Sequence, residues 1–294
     1  MTQRGNVDVR TVRSPVVNAL AIAAFKKKEA DDGGIRVPLI KRLPVKARIS
    51  GIAGISGNNP RQNQILASLP AGDYERLLPF LEFVPMPVGS TLCAVGMQMQ
   101  YIYFPTSCIV SLLSDTKDGT SVETAVVGNE GLVGVSLFMG EGICQSRAVV
   151  KIAGHGYRLN ARMFKQEFGR GGILQHSSLR YTHALLTQTS QTAVCNRHHT
   201  IIQQFCRWLL LSLDRLPTTE LNMTQELIAN MLGVRRESIT QAAEVLQKEG
   251  LIVYWRGHIS VVNRAGLERR VCECYAGVKK VYDHLRVVEE KTAA

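Results

Sequence analysis

The chain has 294 residues, of which 45% are hydrophobic and 20% are charged, a balance typical of folded globular proteins and unlike that of disordered or membrane chains. This length leaves room for two domains with separate cores. The formal net charge is +11, but residues 1–58 hold 11 Lys and Arg against 4 Asp and Glu, so bulk charge is weak support for an anionic partner.

The seven cysteines are scattered and include no CxxC pair or zinc-finger spacing, which favours reduced thiols and a cytoplasmic location. They are Cys93, Cys108, Cys144, Cys195, Cys206, Cys272 and Cys274. The apolar run Val16–Phe25 is too short to span a bilayer, and Arg10 and Arg13 before it give it only a faint likeness to a signal peptide.

The first predicted elements follow a basic tail. Residues 1–58 mix basic residues with Gly, Pro and Asn and show no hydrophobic period, so we expect them to be disordered. From Ile65 onward, leucines at helical spacings predict one or two short helices. Between about Val84 and Leu159, short apolar runs separated by turn residues are typical of a β-sandwich or small barrel. We expect this sheet to close on itself as a roll.

A long helical region comes next, because residues 174–215 contain neither Gly nor Pro. Every seventh residue resembles the seam of a paired helix, although the alternate seam positions are polar. The seam residues are Leu179, Leu186, Ala193 and Thr200, alternating with Thr182, Thr189 and Asn196. We therefore predict a dimerisation helix, a domain joint near Cys195–His198, and a core helix over Ile201–Leu216 that opens the next domain.

The segment NMTQELIANMLGVRRESITQAAEVLQKEGLI has the features of a helix-turn-helix. Thr224 is suited to cap a first helix ending at Leu232, and Gly233 to adopt the positive φ of the turn. Val234 then fills the angle before a second helix that begins near Arg235 or Arg236. An ordinary helical hairpin in an unrelated core is the alternative interpretation.

A predicted wing argues against that alternative. The run LIVYWRGHISVV consists of two β-rich stretches around Arg256-Gly257, which predicts a tight hairpin directly after the second helix. Helix, turn, helix and wing therefore occur in the order of a winged helix.

With these motifs in view, residues 62–275 resemble the Crp/Fnr family of bacterial transcription regulators. The resemblance implies an α+β fold: an N-terminal β-roll, which is a double-stranded β-helix of the cyclic-nucleotide-binding type with flanking helices, then a long dimerisation helix and a C-terminal winged helix-turn-helix. It divides the chain into a tail (1–58), a sensor domain (59–175), a dimerisation helix and hinge (176–197), a DNA-binding domain (198–275) and a helical extension (276–294).

The same resemblance implies a function. The protein would be a cytoplasmic, bacterial homodimer without enzymatic activity that reads a palindromic operator through the major groove of double-stranded DNA. It would act with RNA polymerase, under the control of an unidentified small-molecule or redox signal at the β-roll.

The DNA contacts follow from the recognition helix. The Arg236-Glu237-Ser238 run matches the family's base-reading run, and Gln241 stands one turn later, where many relatives have arginine. Arginine matches the O6 and N7 acceptors of guanine, glutamate accepts from the cytosine amino group, and glutamine can bond adenine. We expect Thr224, Gln225 and Arg235 to contact phosphates, which fix register rather than sequence.

The effector site is less regular than this DNA-reading motif. In cyclic-nucleotide-binding relatives a Gly-Glu pair grips the ribose and an arginine neutralises the cyclic phosphate. Here Val135 replaces the glutamate and cannot accept a hydroxyl hydrogen bond, and a one-residue slip would turn Arg147 to the other face of its strand. The candidate pocket residues are Gly134, Val135, Ser136, Ser146 and Arg147. We expect another small ligand, or none, in place of cyclic AMP.

Metal chemistry has little support in the sequence. No cysteine precedes Cys93, so an N-terminal iron–sulfur cluster of the fumarate-nitrate type is not expected. Cys195 and His199 lie four apart on a predicted helix with His198 adjacent, which leaves a metal, haem or redox role open, but a semi-buried thiol beside exposed histidines is the simpler interpretation. Cys272 and Cys274 are likewise interpreted as packing residues, and no metal site is predicted.

Two rival functions remain. A cupin-type enzyme shares the β-roll but needs a His-x-His pair and further metal ligands, and His155 is the only histidine in residues 84–160. No GxSxG, Walker loop or paired catalytic carboxylates occur, so no enzymatic activity is expected. The second rival is a ligand-binding regulatory subunit that acts on a protein partner rather than on DNA, against which the winged helix argues.

Overall fold

The computed structural model describes residues 59–216 and 218–292, with side chains as far as residue 285. The predicted basic tail and the apolar run Val16–Phe25 lie outside the described residues. The described chain starts with two short helices, α1 (Gln64–Ala67) and α2 (Ala71–Leu77), flanked by 3₁₀ turns at Pro60–Gln62 and Leu78–Phe80. The helices predicted from the leucine spacing are therefore confirmed.

The buried side chain of Asn63 joins these helices to the sheets. Its Oδ1 accepts hydrogen bonds from the backbone N–H groups of Ile65 and Leu66 and so caps α1. Its Nδ2 donates to the carbonyl oxygens of Pro105 (2.9 Å) and Gly131 (2.7 Å), both far away in sequence. The Asn63 side chain thus holds the first helix of the described chain against the sensor sheets.

Two antiparallel sheets form the sensor domain. One has the order β1-β7-β3 and the other the order β2-β6-β4-β5. The strands are β1 (Glu82–Met86), β2 (Thr91–Cys93), β3 (Tyr101–Pro105), β4 (Ile109–Asp115), β5 (Ser121–Val127), β6 (Arg147–Ile152) and β7 (Gly154–Asn160). Phe104, Val110, Val150 and Leu159 from both sheets are fully or almost fully buried in the shared core.

The sensor sheets do not close, contrary to the expectation of a single closed sheet. Strand pairing stops at β1 and β3 in one sheet and at β2 and β5 in the other. The larger sheet is also irregular, since the register shifts within its β2/β6, β4/β5 and β4/β6 pairs. Such bulges bend strands and interrupt the hydrogen-bond ladder, and they are not visible in an alternating sequence pattern.

One pair of cysteines also departs from expectation. Cys93 at the end of β2 and Cys144 before β6 form a disulfide, with Cα atoms 6.4 Å apart. The expectation that all seven thiols are reduced is therefore wrong for this pair. The adjoining loops hydrogen-bond to each other, through Gly96 N–H to Cys144 O and Cys144 N–H to Met97 O, and this long-range pairing brings the two cysteines together.

Short helices complete the sensor domain and a long helix leaves it. Helix α3 (Ser136–Met139) lies between β5 and β6, and α4 (Ala161–Phe168) follows β7. Helix α5 (Ile173–His198) is followed at once by α6 (Ile201–Leu213). The break falls at His199-Thr200 because Thr200 and Gln203 form a reciprocal capping box that begins a new helix.

The outer face of α5 agrees in part with the predicted seam. Leu179 and Leu186 are 44% and 60% exposed, and Ala193 is exposed on the same face. Thr182, expected at an alternate seam position, is instead buried within its own subunit, and its hydroxyl donates to the carbonyl of Ser178. An exposed apolar stripe therefore remains, but Thr182 is not part of it.

The C-terminal domain begins with α6 and contains a small antiparallel sheet of order β8-β10-β9. Its elements after α6 are β8 (Glu220–Asn222), α7 (Gln225–Leu232), α8 (Arg236–Lys248), β9 (Ile252–Trp255), β10 (His258–Val261) and α9 (Arg264–Arg270). Helix α10 (Glu273–Thr292) then packs back along α5, where Arg180 Nη2 donates to the carbonyl of His284 at 2.8 Å. Among the described helices, none combines the length and apolar character needed to cross a membrane.

Candidate nucleic-acid interface

The helix-turn-helix forms as its sequence predicts. Thr224 caps α7 by accepting a hydrogen bond from the N–H of Leu227 (3.2 Å). Gly233 ends α7 in the left-handed region, with φ 65° and ψ 35°, where a residue with a Cβ would be strained. The N–H of Val234 then donates to the carbonyl of Ala229 (3.0 Å), which sets the angle between the two helices.

Recognition helix α8 has two distinct faces. Its inner face, which includes Ile239, Ala242 and Leu246, is buried in the domain. Its outer face carries Arg236, Glu237 and Gln241, all exposed, while Ser238 beside them is half-buried. Three of the four predicted base-reading side chains thus share an open face at the amino-terminal end of one helix.

The predicted phosphate contacts surround the start of the two helices. Thr224 and Arg235 are exposed, and Arg235 precedes α8 without making a side-chain cap. Gln225 is half-buried, and its Oε1 accepts a hydrogen bond from the hydroxyl of Thr240 on α8 at 2.7 Å. This bond fixes Gln225 between the helices and uses its acceptor, so its amide N–H donors are the groups suited to a phosphate.

The wing adds side chains that the sequence analysis did not assign to DNA. Arg256 and Gly257 both have positive φ, 48° and 82°, as a two-residue turn of type I′ requires. Trp255 is 65% exposed at this tip, and the Arg256 guanidinium lies 4.5 Å from the centre of its ring. The signal was present in the sequence, since a basic and an aromatic residue at the predicted hairpin tip fit a surface that meets nucleic acid.

Hydrogen bonds hold the wing in register with both helices. The hydroxyl of Tyr254 donates to the carbonyl of Met223, directly before α7, at 2.8 Å. Its backbone N–H donates to Oε1 of Gln247 on α8, also at 2.8 Å. Burial raises the pKa of Tyr254 to about 12, so this hydroxyl stays protonated and able to donate at neutral pH.

Two buried ion pairs lie where this DNA-reading domain meets the sensor, and one of them crosses between the two. Lys151 Nζ on β6 lies 2.9 Å from Glu123 Oε2 on β5 and 3.9 Å from the centre of the Trp208 ring on α6. Burial lowers the pKa of Lys151 to about 8. Arg215, after α6, donates from Nε to Glu130 Oε1 (2.7 Å) in the loop after β5. Arg215 therefore ties the end of α6 to the loop after β5.

The sensor contains a cavity of about 430 Å³ at the predicted effector position. Four of the five predicted pocket residues, Gly134, Val135, Ser136 and Ser146, line it. The other walls are largely apolar, with Met99, Leu112, Leu132, Val133, Met139, Ile143, Ala148 and Leu185. Cys93 and Cys144 also line this cavity.

Arg147, the fifth predicted pocket residue, is absent from the residues that line this cavity. Its guanidinium forms two hydrogen bonds with the carboxylate of Asp115, at 2.9 Å and 2.8 Å. Its neighbour Ala148 faces the cavity instead, because successive residues of a strand point to opposite faces. The placement of Arg147 in the pocket is therefore wrong, and the reason is strand register.

The structure also gathers residues that the sequence analysis assigned to packing. Cys195 and His199 at the end of α5 meet Cys272 and Cys274 at the start of α10. Cys272 directly precedes α10, and Cys274 lies in its first turn. The sequence could not show this group, because Cys195 and Cys272 are separated by 77 residues. The exposed His198 is not a member of it.

Comparison with known proteins agrees with this architecture. A family model described as a Crp-like helix-turn-helix domain matches residues 203–270. No curated protein sequence gives a significant match to the chain. The matched residues run from the first turn of α6 to the end of α9 and include the whole helix-turn-helix and wing.

Three solved structures share the fold across both domains. A protein described as a Crp/Fnr-family transcriptional regulator from Eubacterium rectale is 16% identical, with a TM-score of 0.56, over 71% of this chain and 98% of that one. The regulator TTHB099 of the CRP family from Thermus thermophilus is 18% identical (TM-score 0.53; 64% and 95% covered). FixK2 from Bradyrhizobium japonicum is 14% identical (TM-score 0.52; 65% and 98% covered).

Proposed function

We propose that this Crp/Fnr-type DNA-binding transcription regulator recognises a palindromic operator as a homodimer and responds to a signal at the cavity of its sensor domain. The observation that carries the proposal is the two-faced recognition helix. Its inner residues are buried, while Arg236, Glu237 and Gln241 stand together on an open face beside the wing. That face supplies hydrogen-bond groups where a helix in the major groove would meet base edges.

Each exposed side chain has a base partner that suits its chemistry. Arg236 offers a planar fork of donors to guanine, Glu237 accepts from the cytosine amino group, and Gln241 can pair with adenine through its amide. Ser238, being half-buried, is suited to a shorter contact with a base or its sugar. Gln241 therefore favours an operator with adenine at one half-site position.

The surrounding groups would hold the helix in register without reading sequence. Thr224, Gln225 and Arg235 supply donors at the start of α7 and α8, and Arg256 with Trp255 supplies a basic and aromatic wing tip, where Gly257 lies beside Thr224. Phosphate contacts around a recognition helix fix its position in the groove.

A gel-shift titration with the full chain tests sequence-specific binding. A labelled fragment selected from random DNA should be displaced by the same fragment without label at a far lower concentration than by an unlabelled, scrambled fragment of the same composition. Both titrations are made at one stated salt concentration. Equal competition by the two fragments would contradict the proposal.

The proposed dimer rests on the outer stripe of α5. Leu179, Leu186 and Ala193 repeat every seven residues and are exposed in the single chain, as a seam awaiting a partner helix would be. Leu186→Arg should shift the protein to a monomer in sedimentation, whereas Met97→Arg, at an equally exposed methionine away from α5, should not. A Leu186→Arg protein that remains a dimer would contradict this interface.

The cavity favours a small, uncharged and largely apolar effector. Glu141 is the one charged residue among those that line it, and Arg147 is paired with Asp115 elsewhere. A cyclic phosphate would therefore meet no cation there. Calorimetry should detect no binding of cyclic AMP, and submicromolar binding would contradict the assignment.

The same proposal includes a redox input, because the Cys93–Cys144 disulfide lies in the cavity wall. Its reduction would alter the pocket that the effector enters.

A regulator of this type would work in the bacterial cytoplasm, with RNA polymerase as its protein partner.

A further inference from the structure

Three cysteines and one histidine meet where the DNA-reading domain joins the rest of the chain. Their donor atoms, three Sγ and one imidazole nitrogen, all lie within 4.8 Å of one another. The three thiols are buried, and they form a small cluster with Val271 that is separate from the main hydrophobic core. The residues are Cys195, His199, Cys272 and Cys274.

Two of the donor separations match those expected around one tetrahedral ion. For metal–sulfur and metal–nitrogen bonds of about 2.3 Å and 2.0 to 2.1 Å, tetrahedral geometry places two sulfurs roughly 3.8 Å apart and a sulfur and nitrogen roughly 3.6 Å apart. Here Cys195 Sγ lies 3.6 Å from Cys272 Sγ, and Cys274 Sγ lies 3.5 Å from His199 Nδ1. An iron–sulfide cluster would need its cysteines farther apart, because several ions occupy the space between them.

The surroundings complete the requirements of a metal site. His199 Nδ1 faces the thiols, while Nε2 lies 3.2 Å from a carboxylate oxygen of Glu273, the arrangement that orients a histidine ligand from behind. Among the described side chains, buried Arg207 bonds Thr192 through Nη1 and has no hydrogen-bond partner for Nε. Thr192 lies on α5 three residues before Cys195, so the Arg207 guanidinium is held close to this group.

The charge of a bound metal site would explain why the Arg207 side chain is buried here. Three thiolates and a neutral histidine around a divalent ion carry a net charge of minus one, and a buried negative charge requires a nearby cation. A soft, three-sulfur donor set with four protein ligands is typical of a closed zinc site and unlike that of magnesium or calcium.

We propose that Cys195, His199, Cys272 and Cys274 bind one Zn²⁺ ion that clamps the two ends of the DNA-reading domain together. The matched domain spans residues 203–270, and the ligand pairs lie just before and just after it. The ion would join the end of α5 to the start of α10. The chain segments that enter and leave the DNA-reading domain would then be held together at one point.

The first test measures metal directly on the full chain, without DNA, so its result does not depend on the proposed operator binding. Protein purified anaerobically and dialysed against a weak chelator should retain one zinc per chain by elemental analysis. Replacement by Co²⁺ alone should give the intense visible bands of tetrahedral cobalt and near-ultraviolet thiolate-to-cobalt charge transfer.

Variants then identify the ligands. Cys272→Ser and His199→Ala should lose the zinc, whereas His199→Cys should retain it with a shifted cobalt spectrum, because four ligands are preserved. Matched controls are His198→Ala, at the exposed neighbouring histidine, and Cys206→Ala, at a buried cysteine outside the group; both should keep one zinc per chain. A strong chelator should lower the melting temperature of the wild type but not that of Cys272→Ser.

Four results would overturn the proposal. Complete removal of zinc from the reconstituted wild type by the weak chelator would indicate weak surface binding only and would count against the site. Acid-labile sulfide would indicate an iron–sulfide cluster, and a Cys195–Cys272 disulfide in the anaerobically purified protein would indicate a redox pair. An octahedral cobalt spectrum without thiolate charge transfer would exclude the ligand set even if the variants fail to fold.

Discussion

Gly233, the turn glycine of the helix-turn-helix, lies against Val122 on sensor strand β5, and a Cβ added to Gly233 would stand 3.3 Å from Cγ2 of Val122. Gly233→Ala should therefore destabilise the protein through two effects. The left-handed backbone costs an L-residue roughly 1 to 2 kcal/mol, and Val122 must also move. The free energy of unfolding in urea measures the sum.

Gly250→Ala separates the two effects. Gly250 has nearly the same backbone angle, with φ 68°, but nothing lies within 4 Å of its added Cβ. Gly233→Ala should cost more than Gly250→Ala, and adding Val122→Ala should remove much of the difference. Equal losses from both glycine variants would show that the turn does not press on the sensor.

Arg236 and Arg235 are adjacent and both exposed, but only Arg236 belongs to the predicted base-reading run. Arg236→Ala should cost about 1 to 3 kcal/mol of binding at one guanine position and relax specificity there. Arg235→Ala should weaken binding to all sequences alike and reduce its salt dependence. Gel-shift titrations against single-base variants distinguish the two, and uniform weakening by Arg236→Ala would contradict its assignment.

Lys151 on β6 and Glu123 on β5 form a buried pair within the sensor, and the pair should contribute to stability only while both partners are present. Lys151→Met leaves a buried carboxylate uncompensated and should cost about 3 to 5 kcal/mol in urea unfolding. The double variant Lys151→Met/Glu123→Gln should be more stable than Lys151→Met alone, since no unpaired charge remains. If the two substitutions simply add their losses, the pair is not coupled.

Lys151 also predicts a pH effect. Burial lowers its pKa from 10.5 in the unfolded chain to about 8, so between these values the unfolded state binds more protons than the folded state. The contribution of Lys151 should therefore become more favourable as pH rises from about 8 to 10.5, and should stay constant at its least favourable value below about 8. The stability of the wild type minus that of Lys151→Met isolates this change, and a flat difference would contradict it.

Local sequence signals predicted the DNA-reading domain well. Thr224, Gly233 and the Arg256-Gly257 turn each impose a conformation on their immediate neighbours, so a cap, a helix end and a hairpin could be placed without knowledge of the rest of the chain. The same patterns placed Arg236 and Glu237 on the exposed face of one helix.

Features that depend on contacts between segments far apart in the sequence could not be predicted from such local signals. The side of β6 on which Arg147 lies depends on strand register, and the register of β6 against β4 shifts between Ile109 and Val110. The Cys93–Cys144 disulfide and the meeting of Cys195 with Cys272 depend on where loops and helix ends come together, 51 and 77 residues apart. No spacing rule on one segment contains that information.

The most direct test of the central claim is selection of bound fragments from random-sequence DNA by the full chain, followed by sequencing. The account predicts a two-fold symmetric motif whose half-sites are centred about one helical turn apart, with the guanine preference lost in Arg236→Ala. Recovery of no enriched motif, or of an asymmetric motif bound by a single chain, would contradict it.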